Sequence, residues 1–135
     1  MMMEEIRIAN DGTWYFNGQK MFRMEIVKLL SSHLRLKDNL YYICWLNQEV
    51  PVVVEDVPFV INGVFDDGQG LKARLSDERV IDLPAGEIVW QNDVPYFTLF
   101  NESVCNAKFT RAAFWQVSQY LKEENGRQWI EYSQK

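Results

Sequence analysis

An α+β fold built from two similar halves is what this sequence predicts, and three observations predict it. Helix-periodic segments occur only near the two ends, at residues 20–34 and 108–122. Each runs on toward an aromatic strand, at Tyr41-Tyr42 and at residues 129–132. The stretch between them is rich in strand-like segments without a regular βαβα alternation, which favours mostly antiparallel sheet over a parallel α/β fold. A chain of 135 residues is expected to make one compact body, here divided into halves 1–55 and 56–135.

Along the chain, residues 5–9 alternate as a short strand, and Asn10-Asp11-Gly12 marks a turn. Strands 13–16 and 20–22 flank Asn17-Gly18, a tight hairpin dipeptide. Residues 24–34 are expected to be helical, with Ile26, Leu29, Leu30, His33 and Leu34 on one face at steps of three and four. Lys37-Asp38-Asn39 turns the chain into an aromatic strand over 40–46. Further strands are expected at 52–54, 59–65, 71–75, 79–83, 87–91 and 96–100. Pro51 and Pro58 confine their segments to edges or irregular positions, because proline cannot donate to a ladder. Thr110 is the expected N-cap of the second helix, whose apolar stripe is Ala113, Phe114, Val117 and Leu121. Trp115 falls off that stripe and is either packed under a strand or exposed at an interface. Residues 128–132 close the chain as a strand. In one register Lys20 matches Lys108, Arg23 matches Arg111 and Tyr41 matches Trp129. Any two amphipathic helices share an apolar stripe, so this alone leaves duplication open.

Composition limits the partners. Apolar residues make up 47% and aromatics 14%, enough for a core without disulfide staples. The net charge is −5, and Lys and Arg form no cluster. Phosphate-backbone binding needs such a cluster, so neither nucleic acid nor an anionic membrane surface is an expected partner, while a homo-oligomer stays open. The apolar runs are far shorter than a membrane span. The opening Met-Met-Met-Glu-Glu has no basic n-region and no apolar h-region, so no signal peptide is expected and the cytoplasm is the expected location. Cys44 and Cys105 lie in apolar surroundings and are expected to be free thiols.

Three stretches together resemble the uncharacterised bacterial family known as domain of unknown function 1285 (DUF1285). They are Asp11-Gly12-Thr13-Trp14 with Gly18 and the run KMFRMEIVKLL; Tyr41-Tyr42 followed by VVVEDVPF; and Pro95-Tyr96 leading to Arg111-Ala112-Ala113-Phe114-Trp115. The resemblance implies an α+β protein of two similar halves. It implies no established reaction; ligand binding or signalling is the suggestion attached to the family. Where the family tends to carry Thr-Pro-x-Glu-Lys after the aromatic strand, this chain has Trp45-Leu46-Asn47-Gln48-Glu49, and where the family helix often opens with Pro, it has Met24.

Arg23 and Arg111 stand out because each falls at an expected helix start, where a cation opposes the helix dipole. Glu55 and Asp56 are the natural carboxylate partners. The plain reading is a structural ion pair; the sharper one is an arginine that holds an anionic ligand. With Trp14 these residues form the tentative ligand-binding set: Trp14, Arg23, Glu55, Asp56 and Arg111, expected where the halves meet. As an acid/base pair Glu55 and Asp56 fit poorly, since adjacent strand residues point to opposite faces. Asp11 reads as a turn residue, and Asp66-Asp67-Gly68-Gln69-Gly70 as a hairpin turn rather than a calcium loop. His33 is the only histidine, too few for a zinc site with two distant cysteines. No Walker or G-x-G-x-x-G loop occurs, and no G-x-S-x-G elbow. No catalytic residue, metal or cofactor is expected. The expected function is ligand or partner binding. The alternatives are an enzyme that uses Asp or Glu with Arg, and a homodimeric structural protein.

Overall fold

The computed structural model describes residues 5–131. Two units divide the chain, Met1–Pro58 and Phe59–Lys135. Each is a mostly antiparallel sheet with one helix, so the expected α+β class is borne out.

The first unit runs β1 (Ile6–Ile8), β2 (Trp14–Phe16), β3 (Gln19–Lys20), α1 (Met24–Ser32), β4 (Leu34–Lys37), β5 (Leu40–Trp45) and β6 (Gln48–Val54). Its sheet has the order β3-β2-β1-β6-β5-β4, and among the described residues only the β1–β6 pair is parallel. Register places Ile8 opposite Trp14 and Ile6 opposite both Phe16 and Val52. Ile6, Ile8, Trp14, Ile43 and Val52 are buried. Strand alternation puts the partners of a buried residue on its own side of the sheet, which gives this sheet its apolar face.

Helix α1 departs from expectation. It buries Val27 and Ser31, while Ile26 and Leu29 stay exposed. The helix ends at Ser32, and Leu34 already pairs with Ile43 in β4. Strand pairing of Leu34 therefore fixes the helix rotation: Val27, Ser31 and Leu34, at steps of four and three, take the buried side. The stripe of Ile26, Leu29, Leu30 and His33, a turn of about 100° away per residue, is left on the flank.

The second unit runs β7 (Phe59–Asp66), β8 (Leu71–Leu75), β9 (Val80–Asp82), β10 (Gly86–Gln91), β11 (Val94–Phe97), β12 (Ala107–Phe109), α2 (Arg111–Ser118), β13 (Leu121–Glu124) and β14 (Arg127–Ile130). The strand order is β13-β14-β10-β11-β12-β7-β8-β9, with β7 and β12 parallel. Strand β10 pairs through its first half with β14 and through its second half with β11. Ile61, Leu75, Phe97, Leu99, Val117 and Ile130 fill the core. Thr110 caps α2 as expected, its hydroxyl accepting from the Ala113 amide at 3.1 Å. The stripe is narrower than expected: Ala113 and Val117 are buried, Phe114 packs edge-on against Trp90, and Leu121 belongs to β13. Of the closing strand expected at 128–132, Tyr132 lies outside the described residues.

In both units the helix leads into a two-residue hairpin, β4–β5 through Asp38-Asn39 and β13–β14 through Asn125-Gly126. Aligning these hairpins and the caps Arg23 and Thr110 shifts the sequence register by one residue. Phe22 then matches Phe109, Ser31 matches Ser118, Leu34 matches Leu121 and Ile43 matches Ile130. Arg23 is thus the cap residue of α1, whereas Arg111 is the first residue inside α2.

Candidate functional site

A groove of about 340 Å³ lies in the first unit, lined by Ile6, Leu29, Leu30, Ile43, Trp45, Leu46, Gln48 and Val50. It follows from the rotation of α1. The flank stripe supplies Leu29 and Leu30 as one wall, and the sheet supplies the floor. Gln48 is the one polar side chain among these. His33, just past α1, packs at a tilt of 49° against Trp45 with ring centroids 4.3 Å apart, and its Nδ1 lies 2.9 Å from the Leu29 carbonyl. That contact fixes the indole at the groove's edge.

Leu46 is the unusual member. It sits at the tip of the β5–β6 hairpin with φ 49°, followed by Asn47 at φ 64°, and is 82% exposed. Two-residue hairpin turns with both φ values positive favour Asn, Asp and Gly. The chain obeys that rule at Asn17-Gly18, Asp38-Asn39, Asn92-Asp93 and Asn125-Gly126. A leucine in this conformation costs about 1 kcal/mol or more, and exposing it gains nothing for folding.

In the second unit a cleft of about 500 Å³ is lined by Ile81, Asp82, Pro84, Ala85, Gly86, Glu87, Thr98, Phe100, Asn101 and Glu102. Phe100, with φ 59°, packs edge-on against Phe59 and lies beneath the Arg79 guanidinium at 5.2 Å. Two of its carboxylates are engaged: Asp82 pairs with Lys72, and Glu87 takes both arms of Arg127 at 2.7 and 2.9 Å. The Arg127 guanidinium holds the Glu87 carboxyl below its usual range.

The residues singled out from the sequence are placed as follows. Trp14 is buried, part of the sheet core opposite Ile8. Arg23 is exposed and its Nε bonds Glu25, 3.0 Å away, not Glu55. Glu55 bonds the Asn10 amide at 3.1 Å and Arg7 at 3.5 Å. The expected arginine–carboxylate link thus gives way to partners close in sequence or on the neighbouring strand, because Arg7 on β1 and Glu55 just after β6 adjoin through the parallel pair. Asp56 is exposed. Arg111, in the second unit, is exposed, and no ion pair to it is found among the described residues. Asp11 makes the expected turn bond, accepting from the Thr13 amide at 2.9 Å, which lowers its pKa. Asp66 and Asp67 cap their own turn through the Gly68 and Gln69 amides. Cys44 and Cys105 are free and half-buried. Among the described residues no group of three or more His, Cys, Asp or Glu is placed to hold a metal ion, and no helix is long and apolar enough to cross a membrane.

The groove was not expected from the sequence. A signal existed in Leu46-Asn47, a hairpin dipeptide with leucine where the turn chemistry asks for a small polar residue.

Two α+β units, each with a helix feeding a hairpin, define the class of this protein. By comparison, residues 1–57 match the model of the N-terminal domain of DUF1285, a domain of unknown function. The motif-based resemblance is borne out over that segment; its third stretch lies beyond it. The fold is similar to a crystal structure of a DUF1285 family protein from Shewanella baltica OS155, with a TM-score of 0.72 and 22% identity, covering 86% of this chain and 91% of that one. It is also similar to a DUF1285 family protein from Silicibacter pomeroyi DSS-3, with a TM-score of 0.71 and 24% identity, covering 96% of this chain and 80% of that one. No curated protein matches the chain.

Proposed function

We propose that this protein is a cytoplasmic ligand- or partner-binding module, serving signalling rather than catalysis, and that the apolar groove of the first unit is its binding surface. The observation that carries the reading is Leu46: an exposed leucine held in a left-handed turn beside Trp45, Leu29 and Leu30. Strained residues that folding does not require cluster at functional sites. Groove walls that are almost wholly apolar suit an aliphatic or aromatic group of a ligand. Free thiols suit a reducing compartment. The enzyme alternative asks for a carboxylate held protonated at neutral pH. The carboxylates with a displaced pKa, Asp11, Glu25 and Glu87, move the other way.

The test is Leu46→Asn, read by stability and by saturable binding of the apolar dye anilinonaphthalene sulfonate. Asparagine suits the turn, so the variant is expected to melt higher than the parent and to lose most of the dye affinity. Undiminished binding in the stabilised variant, or no saturable binding in the parent, overturns the assignment. The tentative polar set is proposed to take an anionic group, through Arg23 in the first unit and, separately, Arg111 in the second, both exposed. Trp14, Glu55 and Asp56, all in the first unit, remain the other members of that tentative set. A sulfate-induced rise in melting temperature that survives Arg23→Gln and Arg111→Gln unchanged removes that part.

Self-association is a second reading, favoured by Trp115, which is 70% exposed on α2. Exposed aromatics of this size are enriched in interface centres. Sedimentation of the parent should show a concentration-dependent dimer that Trp115→Lys abolishes; a parent that stays monomeric at high concentration refutes it.

A further inference from the structure

We draw no further inference here: the strongest candidate, the acidic cleft around Gly86 on the second unit, is a carboxylate cluster whose Asp82 and Glu87 are already paired with Lys72 and Arg127, and nothing in the structure points to a ligand for it.

Discussion

Replacing Asn106 with alanine should be among the most damaging single changes in the second unit. Asn106 is 1% exposed and Leu99 is fully buried. The Leu99 amide donates to the Asn106 Oδ1 at 2.7 Å, and the Asn106 Nδ2 donates to the Leu99 carbonyl at 2.9 Å. One side chain thus satisfies both backbone groups of Leu99 and ties down the segment that carries Phe100 in its left-handed conformation. Alanine leaves the Leu99 amide buried without a partner, at about 1–3 kcal/mol, and leaves the Leu99 carbonyl only the long bond from the Glu102 amide at 3.4 Å. The expected loss is therefore about 1–3 kcal/mol from the amide, with a smaller part from the carbonyl, against a total stability of about 5–15 kcal/mol for a typical domain. At about 4–8 °C per kcal/mol for a unit of this size, melting should fall by at least about 4 °C. Urea unfolding followed by circular dichroism measures the change, with the slope against urea held constant as the check that the folded state is otherwise intact. Hydrogen exchange at the Leu99 amide should accelerate in parallel. A loss below about 1 kcal/mol with Leu99 still protected would refute the reasoning, since it would mean that neither group depends on Asn106.

The other predictions concern caps, packing and pH. Thr110→Ala removes the hydroxyl that accepts from Ala113 and should destabilise by about 1 kcal/mol. Arg23→Ser should act oppositely: Arg23 already has extended cap geometry, φ −86° and ψ 98°, but makes no side-chain cap bond. A thermal melt of each variant decides, and equal effects in the same direction would contradict the capping argument. Gly86→Ala brings a methyl group to 3.0 Å from two carbons of the buried Phe97 ring and should cost about 1–3 kcal/mol by overpacking; an unchanged urea midpoint would show that the ring yields freely. The Asp11 carboxyl is lowered chiefly by its bond from the Thr13 amide. A group with a lowered folded pKa stabilises above its unfolded value and loses that contribution as pH falls through the folded value. The parent should weaken below the ordinary carboxylate range of about 4, and Asp11→Asn, which keeps the acceptor but not the charge, should flatten that part of the urea midpoint against pH. An identical profile in the variant would remove Asp11 from the acid transition.

Much of the fold was legible in short-range chemistry. Asn17-Gly18 and Asp38-Asn39 turn where the sequence says, because their backbone preferences act within two residues. Thr110 caps where it should, because a cap needs only the next turn of helix. Strands β4, β12 and β13 were missed; Leu34 was read as the end of the first helix and Leu121 as part of the second helix's stripe. Leu34 and Leu121 continue an apolar helical stripe in sequence, and only pairing with Ile43 and Ile130 makes them strand.

The sequence by itself determined the α+β class, the turns at Asn17-Gly18 and Asp38-Asn39, the cap of α2 and the match of residues 1–57 to the DUF1285 N-terminal domain, all written in residues close together along the chain. Tertiary structure decided which flank of α1 is buried and which forms the groove wall. It also decided that Glu55 pairs with Arg7 and that Arg23 pairs with Glu25. The reason is that a helix with apolar residues on two flanks has more than one acceptable rotation. The strand it leads into, paired in a fixed register, selects one.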